Sequence, residues 1–224
     1  MIISPQGVSL LVATTQRAVA YSTVIRDSGL RLQRALLLSP RGGGATADES
    51  YRTTILDLLR GASSRIREVE AVDLNDENVL QAVGSTIGEL VVVAPPPGNI
   101  LRAPLLNSGG YFLHIHPGRL PELRGSTTLH YAALLGEDVG ITALLLDEGI
   151  DTGATVLEQR MPLPKNRSRI ENNFDVEARA SVLSAVLQRL KTVGYLRVSP
   201  QPDGPPALHT VHPVLRAIAL GAAS

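Results

Sequence analysis

Two short segments carry the residues whose types and spacing suit chemistry. The first is His114-Ile115-His116-Pro117-Gly118-Arg119-Leu120-Pro121, followed by Arg124-Gly125. Residues i and i+2 of a strand point to one face, so His114 and His116 project together, and Pro117 ends the strand behind them. The second is Asp147-Glu148-Gly149-Ile150-Asp151-Thr152-Gly153, an acidic turn with two glycines at the end of an apolar run. Two adjacent strand ends of one sheet would bring His116 and Asp151 together. An imidazole beside a carboxylate can take up and return a proton. The same residues allow a competing reading. His114, His116 and Asp151 are two imidazoles and a carboxylate that could hold zinc or iron in a hydrolase.

The elements around these segments predict an α/β fold, a single Rossmann-like domain with a mostly parallel central sheet and helices on both faces. Val8 to Ala13 reads as a strand, Arg17 to Asp27 as a helix and Leu30 to Leu38 as a strand. Tyr51 to Leu59 reads as a helix, Val69 to Leu74 as a strand, and Asp76 as the N-cap of a further helix. Leu90 to Ala94 is a continuous apolar run, as in a strand buried on both faces. Strand–helix alternation of this kind builds a parallel sheet, whose ligands sit beyond the carboxyl ends of its strands. Tyr111 to His116, Gly140 to Asp147 and Ala154 to Met161 add strands. Ser126 to Gly136 and Phe174 to Thr192 add helices. Pro40 to Asp48 reads as a loop, and Pro95 to Pro97 as a rigid turn. Residues 1–200 are expected to form the catalytic domain. Residues 201–224, with a Pro- and Gly-rich turn at Pro200 to Pro206, are expected to be a closing segment and not a separate domain.

Composition narrows the function. The 224 residues carry 21 basic and 21 acidic side chains, so the field typical of nucleic-acid binding is missing and no nucleic-acid partner is expected. There is no cysteine, which excludes disulfides, thiolate metal sites and a cysteine nucleophile. No apolar run is long enough to span a bilayer and no signal peptide is evident at Met1 to Gln6, so a cytoplasmic, membrane-free protein is expected. His130 falls in a helix, and His209 and His212 near the C-terminus read as structural.

The paired segments resemble the glycinamide ribonucleotide and methionyl-tRNA formyltransferase family. Its signature is Asn-x-His-Pro-Ser-Leu-Leu-Pro, an Arg-Gly, and an acidic Asp-Thr-Gly turn. Leu129 to Gly136, with Gly136-Glu137 and Gly140-Ile141-Thr142, is similar to a further stretch of that family, so the likeness runs through Tyr111 to Leu163. The resemblance implies a 10-formyltetrahydrofolate donor and a small-molecule amine as acceptor. It implies His116 and Asp151 as the catalytic pair, with His114 at the family asparagine and Gly118 at the family serine. It places Pro97, Asn99, Ile100 and Leu101 in the loop that holds the pterin, with Asp147 and Glu148 also at the donor. Gly118, Arg119 and Arg124 are then substrate-binding, and no metal is implied. The purine-pathway members carry a Gly-rich turn after the first strand. The turn Thr14-Thr15-Gln16-Arg17 has no glycine, which argues against a glycinamide ribonucleotide acceptor. A formyltransferase fold with an altered donor or lost activity is the remaining alternative, motivated by His114 and by the three prolines.

Overall fold

The computed structural model describes residues 1–39, 46–71, 73–96 and 98–221. Its centre is a seven-stranded sheet. In chain order the strands are β2 (Gly7–Ala13), β3 (Leu32–Ser39), β4 (Ile66–Glu70), β5 (Glu89–Ala94), β6 (Tyr111–His116), β7 (Val139–Leu145) and β8 (Thr155–Met161). In space they run β4-β3-β2-β5-β6-β7-β8. All pairings from β4 to β6 are parallel. β7 is antiparallel to both neighbours. A separate two-stranded ribbon pairs β1 (Ile2–Ile3) with β9 (Leu196–Arg197).

Residue pattern explains the layers. β2 and β5 are apolar at nearly every position, and both faces of each are buried. One face packs α1 (Gln16–Ser28), α2 (Thr46–Arg60) and α6 (Asp175–Val193) over Leu10, Val12, Val92, Leu113 and Ile115. The opposite face packs α3 (Glu77–Val83) and α4 (Ala103–Leu106) over Leu11, Ala13, Leu36, Val93 and Phe112. Thr15 caps α1 by accepting from the Ala18 N–H at 3.2 Å, and Gly29 ends it in the left-handed region that favours glycine. The helices on both faces and the mostly parallel sheet agree with the sequence reading. The chain runs outward from β2 to β4 and returns to β5 on the other side of β2, so the order reverses between the ends of β2 and β5.

Several expectations need correction. The strand expected at Val69 to Leu74 is Ile66–Glu70 instead. Leu74 is buried because its turn packs into the smaller core, and the Asn99 side chain takes its N–H at 3.0 Å. The helix expected from Ser126 is α5 (Thr128–Leu135). The Ser126 N–H bonds the Leu208 carbonyl at 2.9 Å, and Thr127 stands in the left-handed region, so neither residue can join the helix. A π-helical turn, Ile170–Phe174, precedes α6, and a short helix α7 (Pro213–Ala219) lies in the last segment. Residues 40–45 of the expected Pro40 to Asp48 loop lie outside the described residues, and α2 already begins at Thr46. No helix among the described residues is long and apolar enough to cross a membrane.

Candidate active site

β6 spans Tyr111–His116, with the bounds its sequence predicts. Leu113 and Ile115 point into the larger core and Phe112 into the smaller one, which puts His114 and His116 on the Phe112 face. Their ring centroids are 6.4 Å apart. His116 is buried, with 2% of its surface exposed. Its Nε2 lies 2.7 Å from the Leu123 carbonyl oxygen, and its Nδ1 lies 3.3 Å from Asp151 Oδ2. Both ring nitrogens therefore face acceptors. The carbonyl can only accept, which fixes a proton on Nε2 and leaves Nδ1 as the atom that gains or loses one. Burial pushes the His116 pKa below the ordinary imidazole value, while the Asp151 carboxylate and the Leu123 carbonyl pull it back up.

His116 and Asp151 meet by a different route from the one the sequence implied. Because β7 is antiparallel, Leu145 at its end pairs with Leu113 and not with His116. The following turn doubles back. Leu145 N–H bonds the Ala154 carbonyl at 2.8 Å, and a Cβ on Gly153 would fall 1.7 Å from the Leu145 carbonyl oxygen, so only glycine fits. Asp151 stands at φ 54°, in the left-handed region, and its Oδ2 accepts the Gly125 N–H at 2.9 Å. Asp147 ties the same turn by accepting from Gly149 N–H at 3.1 Å and Thr152 Oγ1 at 2.6 Å.

His114 sits in a different charge field. Burial first, then the guanidinium groups of Arg179 and Arg17, hold its pKa well below the ordinary imidazole value, so it is neutral. Arg179 on α6 donates to the Ile115 carbonyl at 2.6 Å and to Asp175 Oδ1 at 2.8 Å. Arg17 on α1 donates to the Pro95 carbonyl, spanning the ends of β2 and β5. Among the described residues, Arg17 Nε and Tyr21 Oη are buried without a hydrogen-bond partner, and burial pushes the Tyr21 pKa up to about 12. One nitrogen or oxygen from each of His114, His116 and Asp151 lies within 4.8 Å of the others. Two guanidinium groups bear on this cluster, and like charge opposes a divalent cation there. The arrangement serves proton transfer better than metal binding.

The other expected site residues fall as follows. At Gly118 a Cβ would lie 2.4 Å from the Leu123 carbonyl oxygen and 2.6 Å from His116 Nε2. Glycine at the family serine position is thus what permits the contact between His116 and Leu123. Arg119 lies 3.4 Å from Glu122, too long for a hydrogen bond, and packs its stem over Gly140. Arg124 is buried and donates to the Gln201 side chain and the Pro202 carbonyl. Asn99 is committed to Leu74, Ile100 is half exposed and Leu101 is buried in the smaller core. Asp147 and Glu148 are exposed. Pro97 lies outside the described residues.

Sequence reading missed Arg17, Tyr21, Arg179 and Gln201. A signal existed for Arg179, since the buried stripe of α6 runs through Ala178, Val182, Leu183 and Val186 with an arginine inside it. A charge on an apolar stripe marks a buried partner. Gln201 left no such signal among its prolines.

A profile described as Formyl transferase matches residues 44–186, more than half of the chain, and the protein belongs to that family of group-transfer enzymes. Methionyl-tRNA formyltransferase of Acidiphilium cryptum is 33% identical over 135 residues, covering 60% of this chain and 39% of the relative. The Deinococcus radiodurans enzyme of the same name is 28% identical over 134 residues, covering 59% of this chain and 39% of the relative. The chain therefore spans well under half the length of these curated relatives. Among solved structures, phosphoribosylglycinamide formyltransferase from Bacillus halodurans aligns with a TM-score of 0.60 at 17% identity, covering 83% of this chain and 96% of that one. A 4-N formyltransferase from Francisella tularensis aligns at 0.56 and 15% identity, covering 96% of this chain and 86% of that one. At those identities the likeness concerns the fold.

Proposed function

We propose that the protein transfers a formyl group from 10-formyltetrahydrofolate to the amino group of a small molecule, with His116 and Asp151 as the catalytic pair. The carrying observation is the buried His116 Nδ1, 3.3 Å from Asp151 Oδ2, in a chain of the formyl transferase family. That spacing is longer than a tight charge-assisted bond of about 2.7–2.9 Å. It leaves the Nδ1 lone pair open to a reacting atom beside the carboxylate.

When bound, the donor supplies an electrophilic formyl carbon and a nitrogen leaving group. Burial keeps His116 neutral near pH 7, with its Nδ1 lone pair ready to accept the proton of the attacking amine. The imidazolium so formed lies beside Asp151, which stabilises it. Its Nδ1–H then faces the oxygen on which negative charge develops and returns the proton to the departing nitrogen. The Nε2–H stays on Leu123, which fixes the ring plane throughout. Ile100, half exposed beside the buried anchor Leu101, suits the flat face of a pterin. The balanced charge supports a small acceptor over tRNA.

The test is an assay of the purified chain with 10-formyltetrahydrofolate and a panel of amines. The panel should include amino sugars, amino acids and methionyl-tRNA, with the product identified by mass. A gain of one formyl group on a small amine is expected. Absence of folate binding at millimolar concentration would sink the proposal, and formylation of methionyl-tRNA alone would overturn the choice of acceptor.

A further inference from the structure

Gln201 lies in the segment that sequence reading treated as a closing turn, yet its side chain joins the two turns that flank the proposed catalytic pair. Its Nε2 donates to the Asp151 carbonyl at 2.9 Å and to the Gly153 carbonyl at 2.6 Å. Its Oε1 accepts from Arg124 Nε at 3.2 Å and from Arg124 Nη2 at 2.9 Å. The circuit closes through the backbone, because Gly125, next to Arg124, donates its N–H to Asp151 Oδ2 at 2.9 Å. Asp151 is thus held at its carboxylate by Gly125 and at its carbonyl by Gln201.

The chain on either side of Gln201 is fastened as well. Ser199 exchanges two backbone hydrogen bonds with Thr155 at the start of β8, at 2.8 and 2.9 Å. Leu208 N–H bonds the Arg124 carbonyl at 2.8 Å, and the Leu208 carbonyl accepts from Ser126. A Cβ on Gly125 would lie 2.2 Å from the Leu208 carbonyl oxygen, so the strap presses directly on the residue that holds the Asp151 carboxylate. A left-handed conformation is costly for a residue with a side chain and persists only where its surroundings over-determine it. At Asp151 those surroundings include the Gln201 amide.

We propose that Gln201 is a positioning residue that holds the Asp151 turn in its left-handed conformation, so that the carboxylate stays directed at His116 Nδ1. All four hydrogen bonds come from one planar amide, which places both donors on the acidic turn and the acceptor on the Arg124–Gly125 turn. Loss of the amide frees the Asp151 carbonyl, and the carboxylate withdraws from the imidazole.

This inference rests on the proposed role of the His116–Asp151 pair, but its test does not require turnover. The protonation of His116 is followed by NMR in the full chain with 15N-labelled imidazole, its signal assigned with His116→Gln. Asp151→Asn provides the reference for a lost carboxylate. Gln201→Met keeps the length of the side chain and removes the amide. It is expected to move the His116 midpoint downward, most of the way to the Asp151→Asn value, because the Asp151 charge is what pulls that pKa up. Tyr131→Phe cuts a different anchor of the strap, the 3.1 Å bond to the His209 carbonyl, and should leave the midpoint in place. An unmoved midpoint in Gln201→Met, or an equal shift in Tyr131→Phe, overturns the proposal. Where Gln201→Met fails to fold, Gln201→Asn keeps an amide too short to bridge the turns and is judged by the same two outcomes. Absence of formyl transfer in the wild-type chain, with the midpoint moved as expected in Gln201→Met, would overturn the function and leave the positioning role standing.

Discussion

The two histidines of β6 stand on one face of one strand, yet they belong to regions built in opposite ways. Around His116 almost every polar group is spent. Asp151, Gly125, Arg124 and Gln201 form a closed circuit, and the His116 ring is bonded to Leu123. Arg17, whose charge reaches His114 near the reversal point between β2 and β5, and Tyr21, one turn on along α1, keep Nε and Oη buried without a partner among the described residues. A region satisfied from within can hold a proton donor still. A region with spare buried donors is stable at a cost that a ligand can relieve. On the proposed function, chemistry falls to the first region, and the spare donors of the second are available to a ligand's acceptor atoms.

The largest expected effect breaks the closed region at its centre. Replacing His116 with Ala is expected to lower kcat by about 10²–10⁴-fold, the usual contribution of a positioned acid–base group. Asp151→Asn should reduce kcat and also change the pH profile. The folded His116 pKa is lowered by burial, so the active, neutral form gains as pH rises through that value. Asp151 pulls the pKa up; removing its charge moves the acidic limb to lower pH. A limb that stays in place or moves upward would contradict the pairing.

Next comes Gly118→Ser, which restores the residue type of the family signature. The new Cβ would meet the Leu123 carbonyl and His116 Nε2, and both contacts are with groups that cannot swing aside. Overpacking of this kind costs about 1–3 kcal/mol, or roughly 2–4 °C in melting temperature per kcal/mol for a chain of this size. Activity should fall further than stability, because the displaced atom is the one that orients the ring. A variant with wild-type kcat would show that the Leu123 contact is dispensable.

How much of this could be read from the sequence differs between the same two regions. β6 and its histidines were legible because alternation, the following proline and the family signature all act over a few neighbouring residues. Asp151 was legible as a turn residue, but its path to His116 was not, because nothing local distinguishes an antiparallel β7 from a parallel one. Gln201 and Arg124 were illegible as partners, since 77 residues separate them. The recognition region was the harder one. Arg17 and Tyr21 sit one turn apart on α1, and only the packing of α1 on α6 brings them to Arg179.

Tyr21→Phe sharpens the open region with a smaller effect. It removes one hydroxyl that is buried without a partner, so the free protein should be as stable as wild type or more stable by about 1 kcal/mol. If that hydroxyl bonds the acceptor, its loss raises KM for the acceptor by about tenfold and leaves kcat nearly unchanged. Thermal unfolding and steady-state kinetics on one preparation separate the two terms. A clear loss of stability without a change in KM would mean that the hydroxyl is bonded inside the fold, and the contrast between the regions would lapse.

The smallest effect concerns the rim. Glu171, on the π-helical turn, accepts from Arg216 of α7 and lies 2.8 Å from His130 Nε2. The hydrogen bond from Arg216 is the main reason its carboxyl pKa lies below the ordinary value, and His130 adds to it. A carboxyl whose folded pKa is lowered contributes stability above its unfolded pKa, and that stability is lost as pH falls through the folded value. Arg216→Ala should therefore lower the melting temperature at neutral pH, by less than about 2 °C because the pair is solvent-screened. The difference from wild type should vanish in acid, below the folded pKa of Glu171. The His116 titration should be the same in both proteins, since the closed region draws its rigidity from Gln201 and Gly125 and not from this exposed pair. A shift of the His116 midpoint in Arg216→Ala would extend the closed region to α7 and redraw the boundary between the two.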